Sequence, residues 1–161
     1  MIVFDSSTII LLAKTELLDV LINSYKGDIL ITKGVEREST IKEIFDGLLI
    51  KKRIEEGKIK VKIIDDRNVE SFMWDFKIGL GEAEALCLAL KERSILATDD
   101  KNAINACKLL KIPFTTAIDV LIIAKGKKLI SDEEIKIKLN QLAKFGRYKK
   151  EILEDAKRRL V

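Results

Sequence analysis

The sequence predicts an α/β protein of three layers, with helices on both faces of a short, mostly parallel central sheet and a helical extension at the C-terminal end. Two observations carry this reading. Short apolar runs alternate with segments of helical period along the whole chain, the pattern of a parallel sheet covered on both sides. Of the 161 residues, 47% are hydrophobic and 35% charged, so the chain is well supplied for a core and a charged surface. At this length folding buries roughly 70% of the surface of the unfolded chain, so no disulfide or structural metal is needed.

Ile2–Asp5 is an apolar run ending in a carboxylate, read as a buried strand. Ser7 or Thr8 is expected to cap the helix that follows, with Ile9, Ile10, Leu12 and Ala13 on its buried side. Leu17–Ile22 continues helical. Ile29–Thr32 is a second short strand, and Val35–Glu38 begins another helix. Ile41, Ile44, Phe45, Leu48 and Leu49 recur at helical spacing up to Gly57. The period then changes. Lys58–Ile64 alternates lysine with apolar residues, as an edge or half-exposed strand does. Val69–Phe76 is helical, Gly79-Leu80-Gly81 is a break, and Glu82–Glu92 is a helix with Ala83, Leu86, Ala89 and Leu90 as its stripe. Ser94–Thr98 is a buried strand and Asp100–Leu110 a helix. Pro113 stops that helix, and Phe114-Thr115 starts a short strand. Ile118–Ala124 is helical, and Gly126 ends it. Ser131 with Glu134 forms a capping-box pattern for a helix through Phe145, and Tyr148–Leu160 is a last, basic helix.

No repeat or low-complexity tract interrupts this order. The best boundary divides a core of residues 1–125 from a basic helical extension of residues 126–161, packed as one domain overall. Charge follows the same division. Residues 125–161 hold 12 Lys/Arg against 6 Asp/Glu, whereas residues 1–124 hold 18 against 20. The excess lies in Lys125, Lys127, Lys128, Arg147, Lys149, Lys150, Lys157, Arg158 and Arg159. Such a region suits a polyanion, and equally the solvated face of a lysine-rich protein.

The composition excludes several chemistries. There is no histidine. That removes Ser-His-Asp and Cys-His nucleophile systems, an imidazole base and a His-ligated zinc. Cys87 and Cys107 sit in apolar helical patterns and read as a buried, reduced pair. No stretch is apolar for long enough to span a bilayer, and the opening residues lack a signal peptide's basic start, so the expected location is cytoplasmic. Gln141 is the only glutamine. A charge-rich, amide-poor composition leans towards proteins of very hot organisms.

Function in an open parallel sheet gathers at the carboxyl ends of the strands. Acidic residues stand there. Asp5 ends the first strand, Asp99 and Asp100 end the Ile95–Thr98 strand, and Glu38 lies one turn past the end of the second. Glu82 opens the helix before the Ile95–Thr98 strand. Singly, Glu82 and Asp100 can serve as helix-dipole complements, and Glu36 and Glu38 as solvated helix positions. Gathered at one edge, four carboxylates repel one another, and raised pKa values or a hard cation must offset that. An oxygen-only ligand set points to Mg2+ or Mn2+, an ion suited to phosphodiester chemistry.

Four segments resemble the PIN-domain ribonucleases, and within them the compact prokaryotic proteins of the VapC-toxin type. They are Val3-Phe4-Asp5-Ser6-Ser7, Ile31 to Glu38 with Val35 and Glu38 in the family's places, Gly79-Leu80-Gly81-Glu82-Ala83-Glu84-Ala85, and Ala97-Thr98-Asp99-Asp100. They follow in the family's order over residues 1 to about 124. The resemblance implies that Asp5, Glu38, Glu82 and Asp100 are the catalytic, metal-binding carboxylates. Asp99 is an alternative to Asp100, and Glu36 a fallback for Glu38. Ser6 and Thr98 would be hydroxyl supports that orient the carboxylates. The third acid is often Asp in the toxins, whereas here it is Glu82. Glu84 lies on another face of the same helix and reads as solvated.

The implied reaction is endonucleolytic hydrolysis of single-stranded or structured RNA, with water as the nucleophile and the 3′ oxygen leaving. Implied partners are RNA, an antitoxin protein that covers the acidic groove, and a second copy of the chain in a homodimer. Lys and Arg would hold the RNA phosphates. Trp74, Phe76, Phe145 and Tyr148 are candidates for base stacking, with core packing the reading for the first three. Other readings are a PIN-like module that binds RNA or protein with little catalysis, and a nuclease of RNA maturation. All four acidic positions are filled, which favours an enzyme. Phosphatases of the haloacid dehalogenase type also end their first strand in Asp, but need a second Asp where this chain has Ser7.

Overall fold

A computed structural model describes residues 1–161 and shows one five-stranded sheet with ten helices. The strands are β1 (Ile2–Phe4), β2 (Ile29–Thr32), β3 (Lys60–Lys62), β4 (Ile95–Ala97) and β5 (Phe114–Thr115). Their order across the sheet is β3-β2-β1-β4-β5, and every pair is parallel. The first strand is therefore the central one, with Ile2 opposite both Ile29 and Ile95. All of β1 and β2 is buried, as apolar runs covered on both faces must be. At the edge, β3 keeps its lysines exposed and its Val61 half-buried, which blunts the open strand.

Helices follow the strands almost without loops: α1 (Ser6–Lys14) and α2 (Leu17–Ser24) after β1, α3 (Lys33–Thr40) and α4 (Phe45–Glu55) after β2. Next come α5 (Asn68–Phe76), α6 (Leu80–Glu92), α7 (Lys101–Leu110), α8 (Ala117–Gly126), α9 (Asp132–Phe145) and α10 (Lys150–Leu160). Four polar residues at the carboxyl edge of the sheet cap the helices that leave it. Asp5 caps α1, Thr32 caps α3, Asp100 caps α7 and Thr116 caps α8, each accepting a backbone N–H of its helix. The cap of α1 is thus Asp5, not Ser7 or Thr8. The helix starts one residue after the strand, so the strand-ending carboxylate is itself the nearest acceptor.

One apolar cluster runs through the molecule. Phe4, Leu12, Leu30, Ile31, Leu86 and Leu96 are fully buried within it. Ile135, Leu139 and Leu142 of α9 and Ala156 and Leu160 of α10 belong to the same cluster. Cys87 and Cys107 are free thiols, both buried. No helix is long and apolar enough to cross a membrane.

Further local expectations change. The stripe begun at Ile41 is not helical before Phe45, and Ile41, Ile44, Phe45 and Leu48 are all exposed. Leu80 and Gly81 belong to α6, because Gly79 is its N-cap. Trp74 and Phe145 are exposed rather than packed in the core, and Leu90, expected in the stripe of α6, is exposed at the end of that helix. The capping box of α9 is present as expected: Ser131 Oγ accepts the Glu134 amide at 3.2 Å, and the Glu134 carboxylate accepts the Ser131 amide at 2.8 Å. Replacing Ser131 by Ala is expected to lower stability by about 1 kcal/mol in urea unfolding.

Candidate active site

The capping geometry uses one oxygen of each strand-end acid and leaves the other. Asp5 is wholly buried. Its Oδ1 accepts the Thr8 amide at 2.9 Å and the Ser7 hydroxyl at 3.3 Å, while its Oδ2 is buried with no hydrogen-bond partner. Burial pushes the Asp5 carboxyl up to about 7, against the downward pull of the hydrogen bonds to it, and the nearby Glu82 raises it further. Asp100 Oδ1 accepts the Ala103 amide at 2.8 Å, and the Asp100 amide in turn donates to Thr98 Oγ1 at 3.2 Å. Thr98 is buried and holds this corner of β4.

Glu38 comes in from α3. The Ser6 hydroxyl donates to its Oε2, which ties α3 to the start of α1. The Glu38 carboxylate lies so close to Gly81 that a Cβ there would stand 2.5 Å from Oε2. Glu82 sits in the first turn of α6. Its carboxyl is raised above the usual range, first by burial and then by the charges of Glu38 and Asp100. The structure therefore brings Glu82 within electrostatic reach of Asp5, Glu38 and Asp100, with Ser6 bonded to Glu38 and Thr98 to the Asp100 backbone. Glu36 is elsewhere, paired with Lys33 at 2.7 Å.

Asp99 is occupied differently. Its Oδ2 accepts the Thr8 hydroxyl at 2.9 Å, its Oδ1 accepts the Tyr148 hydroxyl at 2.5 Å, and the Ala117 amide donates to both oxygens. Burial raises this carboxyl too, and the Tyr148 hydrogen bond is the largest opposing cause. Asp99 thus joins β4, α1, α8 and the segment before α10. Glu84 is not solvated as expected. Its Oε2 accepts the Gly34 amide at 3.0 Å, bridging α6 to the first turn of α3.

A cavity of about 560 Å3 opens beside Glu82, Asp99 and Asp100. Lys101 also lines it, and the segment Phe145-Gly146-Arg147-Tyr148 forms a further wall. The basic tail offers a cue to this wall, but nothing in the local pattern places Tyr148 on Asp99.

No three of the carboxylates stand as a ready ligand set. The donor chemistry nevertheless fits a small, hard divalent cation. Every donor is oxygen, one buried carboxylate oxygen lacks any partner, and two of the acids are held above their ordinary range.

Comparison with known proteins agrees with this architecture. The DUF3368 family of PIN domains matches residues 1–160. A PilT N-terminus domain protein from the hyperthermophilic archaeon Sulfolobus solfataricus P2 shares the fold, with a TM-score of 0.51 at 17% identity over 74% of this chain and 90% of that one. No curated protein matches the sequence. The chain belongs to the PIN-domain family, whose members are generally nucleases and typically use divalent metal ions.

Proposed function

We propose that the protein is a Mg2+- or Mn2+-dependent endoribonuclease of the VapC-toxin type, cutting single-stranded or structured RNA. The observation that supports this best is the partnerless buried Oδ2 of Asp5 near Glu82, which in turn neighbours Glu38 and Asp100. These four would hold the ion. Asp100 is preferred to Asp99, because both Asp99 oxygens are engaged by protein donors. When bound, the ion supplies a nucleophilic water at neutral pH and offsets charge on the phosphoryl oxygens.

The chain's own groups do the remaining work. Ser6 fixes the Glu38 carboxylate through its hydroxyl. Thr98 holds the Asp100 backbone, so the acid meets the cleft at a set angle. Lys101 and Arg147 at the cleft wall would bind the RNA phosphates on either side of the cut. Residues 126–161 contribute that wall as a basic extension of the 1–125 core. An antitoxin segment over the cleft, a homodimer and a cytoplasmic location belong to the same reading.

The test is cleavage of a labelled single-stranded RNA pool in Mn2+, Mg2+ or EDTA, with Asp5→Asn purified in parallel. Metal-dependent cleavage lost in Asp5→Asn is the expected result. Equal cleavage by both proteins would assign the activity to a contaminant. Binding of RNA without cleavage in either metal would make the protein a binding module instead.

A further inference from the structure

A second cavity, of about 540 Å3, lies beside the acidic cleft, between α7, the start of α8 and α10. Its size is that of an ordinary small-ligand pocket. Its lining divides by chemistry. Ile104, Ile118 and Ile152 provide apolar surface, with Tyr148 next to them. Lys101, Lys108, Arg147 and Lys149 also line it, and none of the four forms an ion pair.

The acids of this cavity are already engaged. Asp119 closes the Thr116 capping box, Asp155 pairs with Arg158 and Arg159, and Asp99 accepts from Tyr148, Thr8 and Ala117. What is left over is apolar surface for a flat ring and uncompensated positive charge for phosphate. Asp99, Lys101, Arg147 and Tyr148 line both cavities, so the two are neighbours across one wall. The Tyr148 hydroxyl is anchored on Asp99, which makes its ring a fixed platform. A platform already ordered loses little freedom when a base stacks on it.

We propose that this second cavity is a nucleotide subsite for single-stranded RNA, taking a nucleotide that flanks the cut phosphate. Its base rests against Tyr148 and Ile152, and its phosphates meet Arg147 and Lys149. The Asn105 amide, at the same cavity, offers a donor and an acceptor to the base edge and so a means of base preference. The subsite rests on the nuclease reading above.

The test reads binding rather than cleavage. Fluorescence anisotropy with labelled octamers of rA, rC and rU, in EDTA, compares the parent with Lys149→Glu, Ile152→Glu and Lys51→Glu. Lys149 and Ile152 are both exposed, so both variants are expected to fold, with thermal melts as the control. Lys51 is exposed on α4 and makes the same charge change as Lys149 away from the cavity. Loss of a stacked base and its phosphate contacts is expected to weaken the best-bound octamer about tenfold in both cavity variants. It should also narrow the differences among the three octamers, whereas Lys51→Glu should weaken all three slightly and equally.

Equal losses in Lys149→Glu and Lys51→Glu, with the ranking of octamers kept, would overturn the subsite in favour of diffuse charge attraction. A parent that binds and cleaves RNA, with cavity variants that bind as well as it does, would overturn the subsite and leave the nuclease standing. A parent that neither binds nor cleaves RNA would remove both.

Discussion

Asp5→Asn is expected to melt higher than the parent at pH 8 in EDTA, and at nearly the same temperature at pH 4. The buried Asp5 carboxyl has its pKa pushed from an ordinary 3.8 to about 7. A carboxyl raised in this way contributes stability that is fully present below about pH 4. That contribution is lost as pH rises through about 7, because the folded protein must then ionise a group that the unfolded chain ionises freely. The full loss is about 4 kcal/mol, an upper figure for a metal-free protein. Asn keeps an acceptor for the Thr8 amide but carries no charge, so it escapes the loss. Differential scanning calorimetry at the two pH values checks the sign. A parent whose stability rises between pH 4 and 8 relative to Asp5→Asn would contradict the raised carboxyl. The same substitution should lower cleavage by at least about a hundredfold, since even the outer partners of a metal are worth about 10- to 100-fold. Stability gained where activity is lost is the usual balance at a charged active site.

Gly81→Ala is expected to separate folding from function in another way. A Cβ at Gly81 would stand 2.5 Å from Glu38 Oε2 and 3.0 Å from Glu38 Cδ, closer than contact allows. The obstacle is the end of a flexible side chain, so the carboxylate swings away and the backbone stays. The position is inside α6, where Ala is favoured over Gly by up to about 1 kcal/mol. Thermal stability should therefore be equal or slightly higher. Displacing Glu38 from Ser6 should lower cleavage about 10- to 100-fold and weaken Mn2+ binding in calorimetric titration. A variant with full activity would show that Glu38 works without its present placement.

The sheet was readable because its strands are buried on both faces. Ile2–Phe4, Ile29–Thr32 and Ile95–Ala97 are unbroken apolar runs, and no exposed strand in this fold could carry such runs. The Ile41–Phe45 stretch misleads for the opposite reason. Its apolar spacing suits a helix, but the residues lie on the surface and burial does not enforce the pattern. Near the cleft, Asp5 and Asp100 stood out because strand ends are a topological place, and Glu38 and Glu82 because their segments resemble the family's. The engagement of Asp99 by protein donors could not be read. It depends on a hydroxyl from Tyr148 and one from Thr8, contacts between segments far apart in the chain. Glu84 was equally hidden, since its partner is a backbone amide on another helix. Periodicity reports which face of an element is buried and is silent on which oxygen meets which donor.

The position of β1 in the middle of the sheet has a consequence for biosynthesis. β1 is made before both of its neighbours, and one of them, β4, begins only at Ile95. A nascent chain lacking β4 keeps an apolar strand edge uncovered, the kind of surface that aggregates or engages chaperones. Asp5 waits in the same way for Asp100, which follows β4 in the chain. A chain that stops short of Asp100 thus lacks part of the acidic cleft.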